Sequence, residues 1–168
     1  EIETDRLMER TANRPLVTGE IKKNSAYVYS IFLGVSGFLI LYIQTTELAA
    51  LIALSANIFY SFIYTLFLKP RTNQNIVIGG AAGAAPVLIG WAATGTELDT
   101  GSWLLFLLVF LWTPAHFWAL SIENVEDYRG AEFPMLPTQE SKKRTSIFIG
   151  VYSCATVITS LLIAPVLQ

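Results

Sequence analysis

Five long apolar runs dominate the chain and are separated by short polar segments. None contains Asp, Glu, Lys or Arg, and they cover Ser25–Ile43, Leu48–Leu68, Ile76–Gly95, Ser102–Ile122 and Ser146–Leu167. Each is close to the ~20 residues that an α-helix needs to cross ~30 Å of hydrocarbon. Strands are excluded because open sheet edges cannot be satisfied in lipid. The pattern therefore predicts an all-α fold, a polytopic membrane bundle of five transmembrane helices.

The composition is that of a membrane protein. Hydrophobic residues make up 53% of the chain and charged residues 14%, with a mean hydropathy of +0.50. Soluble domains carry roughly 25% charged residues. The single cysteine, Cys154, lies in the last apolar run and cannot form an intrachain disulfide. We expect residues 1–168 to form one membrane domain and, because Glu1 opens the chain without an initiator Met, to be an internal piece of a longer protein.

The basic residues are distributed asymmetrically. With five spans the connecting segments alternate between the two sides of the membrane, and all eleven Lys and Arg residues then fall on one side. The opposite connections, Gln44–Glu47 and Thr96–Gly101, hold none and are too short for a site. The positive-inside rule makes the basic side cytoplasmic, or matrix-facing in an organelle. We therefore expect a bacterial or archaeal cell-membrane protein, or one of the mitochondrial inner membrane, with its active site on that side.

Two pairs of acids lie on the basic side. Glu1 and Asp5 are four residues apart, as are Glu123 and Asp127. Residues at this spacing share one face of a helix. Mg²⁺ prefers oxygen ligands, often one or two carboxylates together with the phosphates of a substrate. The two pairs are therefore candidate metal ligands for a polyanionic substrate.

Basic side chains accompany the acids. Guanidinium groups match phosphate oxygens bidentately, and lysine adds a point charge. The candidates for binding a diphosphate are Arg10, Arg14, Lys69 and Arg71. Each is equally explained as a topology determinant, a lipid-headgroup contact or part of a solvated ion-pair network. From the residues alone both interpretations stay open.

Three stretches carry a family resemblance. They read "DRLMERTANRPLVTG", "YTLFLKPRTNQNIVIGGAAGAAPVLIGWAA" and "WTPAHFWALSIENVEDYRGAEFPMLPT". In order and spacing they resemble the UbiA-type intramembrane prenyltransferases, in particular the branch that acts on heme. The resemblance implies a fold of nine transmembrane helices, of which the five spans are helices three to seven. It also implies two acidic motifs that bind Mg²⁺ and prenyl diphosphate, with Asp5 and Asp127 as the catalytic carboxylates.

The chain departs from the family pattern at three places. Ala115 stands where a second proline is usual, and Glu132 where glycine is usual. A basic residue is common just before the second acidic motif, where this chain has "ENVE". That departure puts in doubt a diphosphate contact from this loop and leaves Arg129 as the nearest base.

The implied reaction is transfer of a farnesyl group from farnesyl diphosphate to a vinyl group of heme B, or protoheme IX, to give heme O. Mg²⁺ is the implied cofactor and heme B a substrate. Aromatic side chains would flank the allylic cation, namely Tyr64, Phe117, Trp118 and Tyr128. We also expect contacts with membrane lipids and with heme A synthase or the assembly of a terminal oxidase, and none with nucleic acid.

His116 is the only histidine and lies inside the fourth apolar run. It is either a hydrogen-bonded interior residue or a contact to heme, as an axial ligand or as a group that orients the macrocycle. Pro114, two residues earlier, would open the helix there. Three other functions stay open: a related prenyltransferase for an aromatic or quinone precursor, a membrane transporter with His116 on a proton path, and a non-catalytic assembly subunit.

Overall fold

The computed structural model describes residues 2–166, and all regular structure within them is helical. Five helices in this part are long and apolar enough to cross a membrane, which confirms the predicted membrane bundle. A continuous π-helical stretch, the π segment, extends the second of them from Phe59 to Leu68. The α-helices are α1 (Ile2–Leu7), α2 (Pro15–Thr18), α3 (Lys23–Gln44), α4 (Glu47–Ile58), α5 (Asn75–Ala93), α6 (Thr100–Glu123), α7 (Val125–Gly130), α8 (Leu136–Gln139) and α9 (Lys142–Ile163).

Side-chain caps fix where three of the long helices begin. The Thr46 hydroxyl accepts the N–H of Ala49 at 3.1 Å, and the Asp99 carboxylate accepts the N–H of Ser102 at 2.9 Å. Ser141 caps α9 in the same way, so this helix starts at Lys142, four residues before the apolar run. Caps satisfy N–H groups that have no partner within the helix. Polar caps, rather than the end of each apolar run, therefore set these boundaries.

The long helices pack in chain order. α3 packs on α4, α4 on α5, α5 on α6, and α6 on α9. The first three connections between spans are short, so these neighbours run antiparallel, whereas the connection from α6 to α9 includes α7 and α8. Small residues dominate the buried positions between them, including Ala49, Ala84, Ala85, Ala92 and Ala115. Small side chains let helix backbones approach closely, which is the main source of packing energy between helices in lipid.

The short helices collect at one end of this bundle. α1 packs on α2, while α7 and α8 pack on each other and on the end of α6. This end, which we call the charged end, also carries the loop from Lys69 to Gln74 between the π segment and α5. The charged segments of the sequence thus come together on one side, while long apolar faces such as that of α3 remain exposed along the spans.

The π segment brings an aromatic ring against a glycine. The Lys69 N–H donates to the carbonyl of Tyr64 at 2.9 Å, a bond across five residues that widens the turn. The ring of Tyr64 then lies directly over Gly79 of α5, where a Cβ would collide with it. Gly90, farther along α5, has open space at the same position.

We expect Gly79→Ala to lower the stability of the full-length protein by about 1–3 kcal/mol, because the added methyl group overpacks the contact with Tyr64. Thermal unfolding in detergent micelles measures the effect. Gly90→Ala, on the same helix, is the matched control and should leave the melting temperature unchanged. Equal melting temperatures for the two variants would show that Tyr64 does not rest on Gly79.

Candidate active site

A cavity of about 450 Å³ opens at the charged end between the π segment, α5 and α6. Its size is within the range of small-molecule sites, roughly 300–1,000 Å³. Polar and charged residues line its mouth, namely Asp5, Arg10, Arg14, Lys69, Ser121 and Asn124. Its other walls are Met8, Tyr60, Tyr64, Ile76, Gly79, Gly80, Gly83, Thr113, Phe117, Leu120, Tyr128, Phe133 and Met135.

The N-terminal segment, residues 2–22, folds back on itself at the mouth. The Arg14 guanidinium donates to a carboxylate oxygen of Asp5 at 2.8 Å. The buried Thr11 hydroxyl donates to the Asp5 carbonyl at 2.7 Å. Asp5 is 8% exposed, which a carboxylate tolerates only when it is paired. These bonds hold an acid and a base side by side at the cavity entrance.

This segment also contacts the α7–α8 segment, residues 124–140. The backbone N–H of Arg10 donates to a carboxylate oxygen of Asp127 at 3.4 Å, and the two residues are 117 positions apart in the sequence. Met8 packs with Ala131 and Phe133 in a buried cluster, which Tyr128 partly covers. A polar and an apolar contact thus bring the Asp5 region and the Asp127 region to the same end of the cavity.

Lys69, on the loop between the π segment and α5, also lines the mouth, next to the N-terminal segment and the α7–α8 segment. Its ammonium group lies 4.9 Å from the centre of the Phe133 ring, at cation–π distance. Its carbonyl accepts a hydrogen bond from the side-chain amide of Asn75 at 3.3 Å, and Asn75 is fully buried. The loop that carries Lys69 is therefore tied to the start of α5. Three basic side chains, from Arg10, Arg14 and Lys69, line one cavity.

Three of the other charged candidates are not among the residues that line the cavity, namely Glu123, Arg71 and Asp127. Of these, Asp127 still contacts the lining residue Arg10 through its hydrogen bond. Glu123 is exposed. α6 ends at Glu123, and Asn124 has a non-helical backbone (φ −111°, ψ 25°) before α7 begins. The expectation that Glu123 and Asp127 share one helical face is therefore wrong, because the helix is interrupted between them. Glu1 lies outside the described residues.

Arg71 has a local partner. Its guanidinium donates to the carbonyl of Leu66 at 2.6 Å and lies over the ring of Phe67. It thus satisfies carbonyls at the end of the π segment, a common use of a base at a helix C-terminus. Arg71 is not among the residues that line the cavity.

The aromatic candidates separate into two groups. Tyr64 and Tyr128 line the cavity. Trp118 is 1% exposed and packs edge-on against Tyr152 of α9, away from the cavity. Its neighbour Phe117 lines the cavity instead. Adjacent residues of a helix point about 100° apart, so α6 presents one of the two rings to α9 and the other to the site.

His116 lies outside the cavity on an exposed face of α6. Its ring stacks on that of Trp112, with centroids 4.4 Å apart and an interplanar angle of 14°. It also meets the Phe117 ring edge-on at 5.7 Å. The histidine therefore belongs to an aromatic surface that borders the cavity wall.

Several lining residues carried little signal in the sequence. The chain has two methionines, Met8 and Met135, and both are buried in the cavity wall. Tyr60 lies four residues before Tyr64 and lines the cavity with it, so its spacing from Tyr64 could have indicated it. Asn124 could have been found as a residue type that favours helix ends.

The mouth offers few protein ligands for a metal ion. It therefore suits a Mg²⁺ ion that takes its remaining ligands from a bound phosphate better than one held by protein side chains alone. Within residues 2–166 no three His, Cys, Asp or Glu side chains cluster at metal-binding distance. Both candidate carboxylates lie at the charged end, where Asp5 accepts from the guanidinium of Arg14 and Asp127 from the backbone N–H of Arg10. Mg²⁺ commonly uses one or two carboxylates and takes its other ligands from water and substrate phosphates. The residues present fit that arrangement.

Comparison with known proteins gives a consistent result. The model of the UbiA prenyltransferase family matches residues 1–168. The chain is 49% identical over 161 residues to "Protoheme IX farnesyltransferase 1" of Saccharopolyspora erythraea, covering 96% of this chain and 52% of that protein. It is 48% identical over 159 residues to the "Protoheme IX farnesyltransferase" of a Synechococcus species, covering 95% and 48%.

A protein of Thermus thermophilus with the same name is 47% identical over 158 residues, which is 94% of this chain and 26% of that protein. The chain thus spans about half the length of the Saccharopolyspora and Synechococcus relatives. No solved structure matches it.

Proposed function

The chain belongs to the UbiA prenyltransferase family, and from that premise we propose that it carries the diphosphate-binding core of an enzyme that farnesylates heme B to give heme O. The observation that carries the proposal is the cavity, which has an ionic mouth and an apolar interior. A prenyl diphosphate has the same two-part character. The names of the relatives support a farnesyl group as the group transferred and protoheme IX as its acceptor.

The mouth binds the diphosphate. Arg10, Arg14 and Lys69 supply the positive charge, and their placement before substrate arrives lowers the cost of organising the site. Asp5 and Asp127 would hold Mg²⁺, which supplies charge neutralisation for the departing diphosphate when it is bound. Arg14 orients the carboxylate of Asp5 through their 2.8 Å hydrogen bond.

The reaction breaks the C1–O bond of farnesyl diphosphate, the π bond of the heme vinyl group and one O–H bond of water. It forms one C–C bond and one C–O bond, and the proton from water is taken up by the departing diphosphate. The bond between farnesyl C1 and the diphosphate oxygen breaks, and the diphosphate leaves with the electron pair. The terminal vinyl carbon of heme B forms a bond to C1 of the farnesyl group. The cation then left on the adjacent carbon takes the oxygen of a water molecule, which loses a proton, to give the hydroxyl of heme O.

The apolar walls protect the cation from early capture by water. Tyr60 and Tyr64 stack with ring centroids 5.2 Å apart, and both line the cavity with Phe117. Aromatic faces attract cations. We propose that these rings stabilise the allylic cation while the surrounding apolar walls exclude water.

We propose that heme lies along the aromatic surface formed by Trp112 and His116. Both residues are exposed on α6, they stack on each other, and His116 borders Phe117 of the cavity wall. A macrocycle against this surface would bring a vinyl group toward the cavity. Orientation of the charged end to the cytoplasm or matrix, and delivery of heme O to heme A synthase or an oxidase, belong to the same proposal.

The main experiment compares two acidic residues of the α7 region in the full-length protein. We expect Asp127→Asn to lower heme O formation by at least about a hundredfold, because a carboxylate that organises the diphosphate site is lost. Glu123→Gln is the matched control and should retain most activity, since Glu123 is exposed, whereas Asp127 is half-buried and accepts a hydrogen bond from the backbone N–H of Arg10. Product is measured by chromatography with heme B, farnesyl diphosphate and Mg²⁺.

Near-normal activity of Asp127→Asn at limiting Mg²⁺ would contradict the assignment of the diphosphate site. Absence of any farnesylated heme with the unmodified protein, together with turnover of an aromatic or quinone precursor, would favour the related prenyltransferase function. Loss of all metal-dependent diphosphate binding would favour a transporter or an assembly subunit.

The heme surface has its own test. We expect His116→Ala to weaken heme binding and to change the Soret band, because the imidazole at the centre of the proposed contact is removed. Mg²⁺-dependent binding of farnesyl diphosphate should persist, since His116 does not line the cavity. A variant that binds heme with unchanged affinity and spectrum would remove His116 from the heme site, and joint loss of both ligands would indicate a structural role.

A further inference from the structure

The polar and the apolar lining residues of the cavity lie at different heights along the helices of the bundle. Counting away from the charged end, each of the three helical walls contributes a last lining residue, namely Tyr60, Gly83 and Thr113. Gly83 is seven residues beyond Ile76, the first lining residue of α5, which corresponds to a depth of about 10 Å at 1.5 Å per residue. These three residues therefore form the floor of the cavity.

The threonine of the floor turns its proton away from the cavity. The Thr113 hydroxyl donates to the carbonyl of Val109 at 2.7 Å, so its only proton is used within α6. Its methyl group is the nearest atom to a Cβ placed on Gly80, at 3.4 Å. An apolar substrate tail thus meets a methyl group here.

Three glycines of α5 line the cavity, but they differ in the space in front of them. A side chain on Gly79 would meet the ring of Tyr64, and one on Gly80 would touch Thr113. A Cβ on Gly83 would meet nothing within 4 Å. Gly83, which is exposed, is therefore the lining glycine with open space in front of it, and it lies farthest of the three from the charged end along α5.

We propose that Gly83 sets the length of the isoprenoid chain that the enzyme accepts. This inference rests on the proposed prenyl transfer and adds a specificity-determining residue to it. A diphosphate fixed at the mouth by Arg10, Arg14 and Lys69 directs the first carbons of the chain inward and the last isoprene unit to the floor. The absence of a side chain at Gly83 leaves room for the third isoprene unit of a farnesyl group.

A graded series in the full-length protein tests the proposal. Gly83→Ala, Gly83→Val and Gly83→Leu are each supplied with heme B and an equimolar mixture of farnesyl and geranyl diphosphate. Mass spectrometry measures the ratio of the two prenylated hemes, and this ratio does not depend on how much of each variant folds. We expect the ratio of geranyl to farnesyl product to rise with side-chain size, by at least about tenfold for leucine.

Gly90→Leu is the matched control. Gly90 lies on the same helix, has open space at its Cβ position and does not line the cavity, so its product ratio should equal that of the unmodified protein. An unchanged ratio across the Gly83 series, with the unmodified protein active on farnesyl diphosphate, would overturn this inference alone. Failure of the unmodified protein to farnesylate heme would instead overturn the proposed function.

Discussion

The contact between the N-terminal segment and the α7–α8 segment is the interaction on which the candidate site depends. The two segments are more than a hundred residues apart in sequence, and the Arg10 N–H and Asp127 carboxylate join them at 3.4 Å. Burial of Met8 with Phe133 supplies the apolar part of the same contact. The contact therefore brings Asp5 and Asp127 to the same end of the cavity.

The membrane explains why this contact occurs where it does. Charged side chains are expensive inside hydrocarbon, so a site for a diphosphate must be built from the segments that connect the spans. The apolar chain of the same substrate can extend between the helices at little cost. The cavity follows this division, with its charges at one end and Tyr60, Gly83 and Thr113 at the other. The charged end of the cavity thus suits the diphosphate of the proposed substrate, and the opposite end suits its isoprenoid chain.

The architecture was predictable from the sequence, and the exact site was predictable only in part. Apolar runs of membrane-spanning length depend on composition alone, which is why the five helices were found. The charged residues Asp5, Arg10, Arg14 and Lys69 were also identified, because charge is rare in this chain and its positions are informative.

The sequence-based predictions were wrong where the direction of a side chain depends on a helix interruption or on which helix face is packed. Spacing placed Glu123 beside Asp127, but Asn124 interrupts the helix between them. The choice between Phe117 and Trp118 required knowing which face of α6 packs on α9. Such features follow from tertiary packing, which residue spacing does not encode.

Cysteine cross-linking tests the central contact most directly. In the full-length protein with its other cysteines replaced, Met8→Cys is combined with Phe133→Cys, or with Gln74→Cys as a control at the same end of the bundle. The account predicts that mild oxidation links Met8→Cys to Phe133→Cys in most molecules and to Gln74→Cys in few, as measured by mass spectrometry of the joined peptides. Equal linkage of the two pairs, or none to position 133, would contradict it.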